Sequence, residues 1–132
     1  MKILITGHSG FLGKILYNAC EIDNYTIGLD RISFQNNILC DLSKDIPQFP
    51  VVPDLVIHAA GKAHSIPRTK KEEDEFFKVN YQGTVNLLKG LSALSRLPGQ
   101  FIFISTVAVY GLEEGEMIDE SYPLNGTSAY AR

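Results

Sequence analysis

The stretch Lys2-Ile3-Leu4-Ile5-Thr6-Gly7-His8-Ser9-Gly10-Phe11-Leu12-Gly13 decides the fold of this 132-residue chain. Its first half is a short apolar run that ends at a glycine, a pattern typical of a buried parallel strand. Three glycines spaced three residues apart come next, and an apolar segment compatible with a helix follows them. The stretch therefore predicts a strand, a tight turn and the start of a helix in immediate succession.

Each of the three glycines has a distinct role in such a turn. Gly7 allows the sharp turn off the strand, Gly10 lets a pyrophosphate approach the backbone, and Gly13 lets the helix pack closely on the strand. The first N–H groups of a helix are unpaired and lie at the positive end of its dipole, so this turn predicts a phosphate site. A flexible corner without a ligand is the alternative interpretation of the glycines alone.

An acidic residue about twenty positions further on favours a dinucleotide as the ligand. Residues 25–29 form a second strand-like run, and Asp30 ends it. A carboxylate at that place accepts hydrogen bonds from the ribose hydroxyls of an adenosine. The alternative interpretation of Asp30 is an ordinary loop aspartate after a strand.

The pattern Thr-Gly-x-x-Gly-Phe-Leu-Gly resembles the N-terminal fingerprint of the extended short-chain dehydrogenase/reductase superfamily. That superfamily includes nucleotide-sugar epimerases, dehydratases and reductases, and its usual pattern has Ile where this chain has Leu12. The resemblance implies NAD as the cofactor, and it implies that the following residues bind it: Gly7, Gly10, Phe11, Leu12, Gly13 and Asp30. Asp30 would repel a 2′-phosphate, which favours NAD over NADP, although Arg31 is a neighbour that favours the opposite.

Composition excludes several other classes of protein. The net charge is −3 and no basic cluster is present, which argues against a nucleic-acid partner. No apolar run is long enough to span a bilayer, and the chain enters a strand without a leader, so we expect a cytoplasmic protein. Cys20 and Cys40 fit reduced thiols in that compartment. Neither has His or Cys neighbours at ligand spacing, so we expect no metal site.

The rest of the chain alternates between strand-like and helical or irregular stretches. Ile15, Leu16 and Ala19 recur at helical spacing after Gly13, and a long helical pattern covers residues 70–94. The strand-like runs are residues 2–6, 25–29, 38–40, 54–61 and 101–104. They predict an α/β fold, a Rossmann-like doubly wound parallel sheet of order 3-2-1-4-5 with helices on both faces, forming one NAD-binding domain over residues 1–132.

The resemblance also assigns cofactor roles to later motifs. Asp41 and Leu42 match an Asp-Leu pair that lies beside the adenine. The small residues Ala59, Ala60 and Gly61 match a segment beside the diphosphate and ribose, whereas His58 is interpreted as a core histidine. Asn80 belongs to a sequence that resembles the family's Asn-x-x-Gly-Thr motif, which lies near the cofactor. Because Asn and Gly are unfavourable inside a helix, we expect them to contact a neighbour or a ligand.

The resemblance implies catalytic roles for three residues. Thr106, with Ser105 as a substitute, matches a hydroxyl that polarises the reacting sugar oxygen, and Tyr130 matches the tyrosine of Tyr-x-x-x-Lys. In the family a nearby lysine and the nicotinamide make this phenol more acidic, and it removes a proton from a sugar hydroxyl as hydride moves to NAD. The lysine of this motif would fall beyond Arg132.

These assignments predict the NAD-binding portion of a nucleotide-sugar 4-epimerase or 4-ketosugar reductase that acts on a UDP-sugar, with a hexosamine as the expected sugar. Val107 and Ala108 stand where related dehydratases carry Asp-Glu, which argues against a dehydratase. Three alternatives remain open. The first is a nucleotide-sugar dehydratase, which this dipeptide disfavours. The second is a sensor or scaffold module that binds NAD without turnover, and the third is a flavodoxin-like domain that binds no dinucleotide.

The resemblance covers the whole chain but only the N-terminal part of a family member, so we expect a fragment that lacks the later strands and the substrate domain. Such a chain is expected to be inactive. Its fifth strand would be an exposed apolar edge that pairs with other chains. We further expect partial disorder after Gly111, and either a homodimer through the helix of residues 70–94 or association through the fifth strand.

Overall fold

The computed structural model describes residues 1–33, 37–63 and 65–132. Part of the predicted loop 31–37, and His64 in the loop after the fourth strand, lie outside the described residues. The elements in chain order are β1 (Lys2–Thr6), α1 (Phe11–Cys20), β2 (Tyr25–Asp30), β3 (Asn37–Leu39), β4 (Leu55–His58), α2 (Lys70–Phe76), a π-helical segment (Phe77–Gln82), α3 (Gly83–Ser92), β5 (Gln100–Phe103) and a 3-10 turn (Val107–Tyr110).

The five strands form one sheet, and all of its neighbouring pairs are parallel. The order β3-β2-β1-β4-β5 confirms the predicted topology. β1 is central, with Ile3 opposite Thr26 of β2 and Leu55 of β4. Because the strand order reverses between β1 and β4, the carboxyl ends of these strands flank the crevice in which such sheets bind ligands.

Alternate residues of β1 supply two separate cores, one on each face of the sheet. Leu4 belongs to a cluster that α3 and the segment after β3 cover, formed by Leu4, Ile27, Leu29, Leu42, Val56, Leu87 and Leu91. Ile3 and Ile5 belong to the opposite cluster, which α1 covers, and its other buried members are Leu55 and Ile57. Helices therefore lie on both faces, as predicted.

The buried face of α1 contains only one of the three residues that recur at helical spacing, Leu16. Ile15 is 54% exposed and Ala19 is also exposed, whereas Leu16, Tyr17 and Cys20 pack on the sheet. The contact between Gly13 and the turn explains this rotation. A Cβ at Gly13 would lie 2.0 Å from the carbonyl oxygen of Gly7, so the helix must present this glycine to the strand. Residues three, four and seven positions later then face inward.

The long helix predicted for residues 70–94 is continuous but not uniform. It begins at a capping box, in which the Thr69 hydroxyl accepts the Glu72 N–H and the Glu72 carboxylate accepts the Thr69 N–H. A π-helical segment separates α2 from α3, and the Gly83 N–H there donates to the carbonyl of Lys78, five residues earlier. α3 ends at Ser92.

β5 begins and ends one residue earlier than predicted. It pairs with β4, and its other edge pairs with no strand in the described part of the chain. Its apolar side chains remain open to solvent: Phe101 is 39% exposed, Ile102 46%, Phe103 53% and the following Ile104 40%. The sheet therefore has an apolar edge at this strand.

The segment after Tyr110 contains turns and extended chain but, over residues 111–132, no helix or strand. The N–H of Gly126 donates to the carbonyl of Val109 over 2.9 Å, and the rings of Tyr110 and Tyr122 meet edge to face at 5.9 Å. Disorder after Gly111 remains a prediction about the protein in solution. Across the described residues, none of the helices has the length and apolar character that crossing a membrane requires.

Candidate cofactor site

A cavity of about 650 Å³ opens where β1, β2 and β4 end. This volume lies within the roughly 300–1,000 Å³ that is typical of ligand sites. The predicted cofactor residues that line the cavity are Gly7, Gly10, Asp30, Asp41, Leu42, Ala59, Ala60 and Gly61. The sheet therefore brings together side chains and backbone from four separate loops, as the resemblance implies.

The glycine turn forms one wall of this cavity. Gly7 has φ +68°, a left-handed conformation that favours glycine, and a Cβ there would lie 2.7 Å from Cα of Ala60. Gly10 donates its N–H to the Gly7 carbonyl over 3.0 Å and occupies the cap position of α1, where no side chain caps the helix. The first-turn N–H groups are thus left for a ligand. Phe11 is 89% exposed and does not line the cavity.

The other predicted residues of the turn also lie outside the cavity lining. Leu12 is 39% exposed, and Gly13 is buried against the Gly7 carbonyl. Their side-chain positions do not reach the cavity, so any contact that Phe11, Leu12 and Gly13 make with a phosphate would come from backbone N–H groups.

Asp30 lies at the end of β2 as a buried carboxylate with hydrogen bonds to both oxygens. One oxygen accepts the Ser9 hydroxyl at 2.8 Å and the Ser9 N–H at 3.1 Å, and the other accepts the N–H of Arg31 at 2.8 Å and of Ile32 at 3.4 Å. Burial raises the pKa of this carboxyl, but the hydrogen bonds outweigh burial and hold the pKa below its usual value. Asp30 is therefore ionised at neutral pH.

Ser9 and His8 are site residues that the sequence interpretation did not identify. Ser9 fixes the Asp30 carboxylate, and Nδ1 of His8 lies 3.7 Å from the same carboxylate. The His8 ring fills the space beside Gly28, because a Cβ at Gly28 would lie 2.6 Å from its atoms. A glycine inside the otherwise strand-like segment of β2 is the sequence signal for this close approach.

Asp41 and Leu42 follow β3 and take different places in the structure. Asp41 accepts a bond from Lys44 Nζ at 2.8 Å and from the Ser43 hydroxyl at 2.6 Å, and these two partners hold the pKa of Asp41 below its usual value. Leu42 is only 7% exposed and belongs to the core, so only a small part of it reaches the cavity. The adjacent Cys40 also lines the cavity, and burial raises the pKa of its thiol.

Asn80 does not line the cavity but holds one of its walls. In the π-helical segment, its amide accepts the Lys62 N–H at 2.7 Å and donates to the Lys62 carbonyl at 3.0 Å. This pair of bonds fixes the backbone of the loop after β4, where Gly61 and Lys62 both line the cavity. The expectation that the polar residue within the helix contacts a neighbour is confirmed.

His58 is a buried histidine with both ring nitrogens hydrogen-bonded. Nδ1 lies 2.6 Å from Oγ1 of Thr6, and Nε2 lies 2.9 Å from Oγ1 of Thr84. Burial lowers the pKa of His58 to about 4, so the ring is neutral at neutral pH. The interpretation of His58 as a satisfied core histidine agrees with this geometry.

The predicted catalytic residues lie outside the lining of the cavity. Thr106 follows β5, and its hydroxyl accepts the Ala108 N–H at 3.2 Å, while Ser105 before it is exposed. Tyr130 is 37% exposed and packs its ring against Phe76, with ring centroids 6.3 Å apart. The structure therefore does not bring Tyr130 and Thr106 into the cavity with the predicted cofactor residues.

Lys62 connects the cavity to the surroundings of Tyr130. Its ammonium pairs with Glu75 and lies 5.4 Å from the centre of the Phe76 ring, and the Tyr130 ring meets the same Phe76 ring edge to face. Lys62 and Glu75 both line the cavity. Phe76 is thus a shared neighbour of Lys62 and the predicted catalytic tyrosine.

The profile of the NAD dependent epimerase/dehydratase family matches residues 3–132 of this chain. This match covers almost the whole sequence and includes the glycine turn, Asp30 and the segments that line the cavity. The chain belongs to this family. Its membership confirms the resemblance found in the glycine motif, and the cofactor of the family is NAD.

Curated relatives carry several activities within this family. The GDP-6-deoxy-D-mannose reductase of Pseudomonas aeruginosa is 32% identical over 111 residues, which are 83% of this chain and 35% of that protein. The UDP-glucose 4-epimerase of Mycoplasma pneumoniae is 29% identical over 147 residues, covering 97% and 42%. A dTDP-glucose 4,6-dehydratase of Streptomyces niveus is 31% identical over 156 residues, covering 99% and 45%. The chain thus spans less than half the length of each.

A solved structure supports the same family assignment. The UDP-glucuronic acid 4-epimerase of Bacillus cereus, crystallised in complex with NAD, is 26% identical to this chain. The two structures superpose with a TM-score of 0.73, over 99% of this chain and 48% of that one. The Rossmann-like sheet is therefore the fold that this epimerase uses in its corresponding part.

Proposed function

We propose that this chain binds NAD in the cavity at the carboxyl edge of the sheet. The observation that carries the proposal is the convergence of an uncapped helix start at Gly10, the left-handed Gly7 and the ionised Asp30 on one cavity. The first suits a diphosphate, and the carboxylate suits ribose hydroxyls. When bound, NAD supplies a hydride acceptor for the oxidation of an alcohol.

We further propose that the protein is a nucleotide-sugar 4-epimerase or 4-ketosugar reductase that acts on a UDP-sugar, with a hexosamine as the expected sugar. Membership of the family and the named epimerase and reductase relatives support this. Val107 and Ala108, in the turn after Thr106, offer no acid or base where a dehydratase needs a pair, although dehydratases are also among the relatives.

In this proposal Thr106 and Tyr130 act on the sugar. Thr106 would donate a hydrogen bond to the reacting oxygen, and Tyr130, as the phenolate, would take the proton of the sugar hydroxyl while the hydride of the same carbon would pass to NAD. Their placement after β5 and beside Phe76 puts both on the carboxyl side of the sheet. Neither residue lines the cavity that would hold the cofactor.

Two measurements test the proposal. Calorimetric titration of the 132-residue chain with NAD should show one binding site. An assay of the complete protein with a panel of UDP-, GDP- and dTDP-sugars should show interconversion of epimers or reduction of a 4-ketosugar. Absence of any conversion in the panel, with NAD bound, would contradict the enzymatic part of the proposal.

The preference for NAD over NADP is part of the same proposal. The ionised Asp30 would repel a 2′-phosphate, and Arg31 and Lys44 line the same cavity as possible phosphate ligands. Lys44 is held by Asp41, which leaves Arg31 as the main competitor. Tighter binding of NADP than of NAD in parallel titrations would show that Arg31 dominates over Asp30.

A second candidate is a module that binds NAD without turnover. The observation that favours it is that neither Thr106 nor Tyr130 lines the cavity that would hold the cofactor. This candidate shares the NAD titration with the first proposal and differs in the sugar-nucleotide assay. Such a module would show NAD binding but no turnover, and Tyr130→Phe would leave its affinity for NAD unchanged.

The compartment and the association state are also proposed. Cys20 and Cys40 are free thiols, which supports a cytoplasmic location. A homodimer through the helix of residues 70–94 is supported by a shallow apolar depression on α3, lined by Val85, Leu88, Lys89, Ser92 and Ala93. The exposed edge of β5 supports the alternative of association through strand pairing.

A further inference from the structure

One hydrogen-bonded chain crosses the molecule behind the cavity, from the turn after β4 to the π-helical segment. The Ala60 N–H donates to Oγ1 of Thr6 at 3.1 Å, and this oxygen lies 2.6 Å from Nδ1 of His58. On the other side of the ring, Nε2 lies 2.9 Å from Oγ1 of Thr84, which donates to the Asn80 carbonyl at 2.6 Å. This series of hydrogen bonds therefore joins β1, β4 and the helix through the imidazole of His58.

The donor and the acceptor of every hydrogen bond in this series follow from the position of the Thr84 hydroxyl proton. That hydroxyl donates its single proton to the Asn80 carbonyl, so it can only accept from Nε2–H of His58. In the neutral ring Nδ1 then carries no proton and accepts the Thr6 hydroxyl, whose oxygen accepts the Ala60 N–H. All donors and acceptors are satisfied only with this tautomer.

The surroundings of the ring keep it neutral. Its neighbours are Thr6 on β1, Thr84 on α3, and the rings of Phe101 and Phe103 on β5 at 6.2 and 5.6 Å. None of these contacts is charged or titrates near neutral pH, and His58 is 2% exposed. A cation here would find no charge among these contacts and would be shielded from solvent, so the hydrogen-bond network is satisfied with a neutral ring.

Asn80, at the end of this series of hydrogen bonds, contacts the wall of the cavity. Asn80 belongs to the π-helical segment, a geometry that is uncommon and often occurs at functional sites. Its carbonyl is held by Thr84, and its side chain makes the two bonds to the Lys62 backbone. The position of the Asn80 main chain therefore sets the position of Lys62 and Gly61.

We propose that His58 and Thr84 are positioning residues for the cofactor, which hold the glycine turn and the Lys62 loop at a fixed separation across the cavity. Neither residue touches the cavity itself. They act through Thr6, which precedes Gly7, and through Asn80, which holds Lys62. The functional part of this inference rests on the proposed NAD site.

The test uses an isosteric removal of one hydroxyl from the chain. Thr84→Val keeps the shape of residue 84 but removes the acceptor for His58 and the donor to Asn80, and Thr84→Ser restores the hydroxyl. Thr26→Val is a matched control, because Thr26 is a buried threonine whose hydroxyl has no hydrogen-bond partner among the described residues. All three variants are made in the 132-residue chain.

Two quantities are measured: the hydrogen-exchange rate of the Lys62 amide without ligand, and the NAD affinity by calorimetry. We expect Thr84→Val to increase the exchange rate of the Lys62 amide by about tenfold and to lower the affinity for NAD by a similar factor. Thr84→Ser should restore both quantities, and Thr26→Val should change neither. The exchange rate reports on the Asn80–Lys62 bonds directly, whether or not NAD binds.

The outcomes separate this inference from the proposed function. Unchanged Lys62 exchange in Thr84→Val, or equal effects of Thr84→Val and Thr26→Val, would overturn the positioning role. Failure of Thr84→Ser to rescue would also overturn it. Failure of the unmodified chain to bind NAD would instead contradict the proposed function, and would overturn only the functional part of the inference.

Discussion

At the scale of single residues, the carboxylate of Asp30 is the most specific chemical group of the cavity. We predict that Asp30→Asn lowers the affinity for NAD by about ten- to a hundredfold, since a hydrogen bond to a charged group contributes about 1.5–3 kcal/mol. The variant should also reduce the difference between the affinities for NAD and NADP, because the charge that repels a 2′-phosphate is gone. Parallel titrations with both dinucleotides measure this.

Asp119 provides the matched control for that substitution. Its carboxylate also accepts two local hydrogen bonds, from the N–H and hydroxyl of Ser121, but it does not line the cavity. Asp119→Asn should leave both affinities unchanged. Equal affinities of the Asp30→Asn variant and the unmodified chain for NAD would mean that the ribose binds elsewhere.

His58 gives a second prediction at this scale, for the dependence of stability on pH. The pKa of His58 falls from its ordinary 6.5 to about 4 in the folded chain because of burial. Above pH 6.5 the ring is neutral in both states. As the pH falls from 6.5 to about 4, the unfolded chain takes up a proton that the folded chain does not, so about 3 kcal/mol of stability is lost.

Urea unfolding at pH 7 and pH 4.5 measures this loss in the unmodified chain and in His58→Gln. The variant lacks the titrating ring, so its stability should fall less over this interval, even if it is less stable at pH 7. Carboxyl groups with lowered pKa values, such as Asp30 and Asp41, are common to both proteins and cancel in the difference. Parallel pH dependences would contradict the prediction.

At the scale of elements, two glycines of the turn between β1 and α1 have different roles, one in packing and one in ligand binding. We predict that Gly13→Ala destabilises the fold by about 3 kcal/mol or more, because its Cβ would lie 2.0 Å from the backbone oxygen of Gly7. Gly10→Ala should change stability by less than about 1 kcal/mol, since its nearest contact is 3.2 Å. Urea unfolding measures both.

Gly10→Ala should nevertheless strongly lower the affinity for NAD. Gly10 lines the cavity, and a methyl group there would occupy the space in which the diphosphate approaches the backbone. The same turn thus supplies one variant that reports on folding and one that reports on binding. Unimpaired NAD binding by Gly10→Ala would show that the diphosphate does not approach this backbone.

The elements could be predicted from the sequence where one local pattern decides them. Each strand contains a short apolar run, so the strands could be located directly, and the rules for doubly wound parallel sheets then predicted their order. The rotation of α1 could not be predicted, because Ile15 and Leu16 both fit helical spacing and the contact of Gly13 with Gly7 selects between them. The π-helical segment could not be predicted either, since one widened turn leaves the apolar pattern almost unchanged.

The site divides in the same way. Asp30 ends β2, Gly7 and the residues after β4 directly follow strands, and Gly10 lies in the turn after β1, so a strand prediction already places them at one edge. Ser9 and His8 were missed because their roles depend on residues distant in the chain, the Asp30 carboxylate and Gly28. The chain from Thr6 through His58 to Thr84 needs three elements packed together before any of its bonds exists.

At the scale of the whole molecule, helices cover both faces of the central strands, whereas the strand at the β5 end of the sheet is apolar and exposed. α1 covers one face, and α3 with the segment after β3 covers the other. Among the described residues, β5 has no strand partner on its outer edge, and its three apolar residues, with Ile104 after them, are 39% to 53% exposed. An edge of this kind is a template for pairing with a second chain unless a charge or a proline interrupts it.

We therefore predict that the 132-residue chain self-associates and that Ile102→Lys shifts it toward the monomer. A lysine in the middle of β5 places a charge on the edge, which opposes strand pairing between copies. Ile15→Lys is the matched control, because Ile15 on α1 is similarly exposed, at 54% against 46% for Ile102. Light scattering during size-exclusion chromatography, over a range of protein concentrations, gives the mass. A monomeric unmodified chain would contradict association altogether, and an equal effect of the two variants would place the contact away from β5.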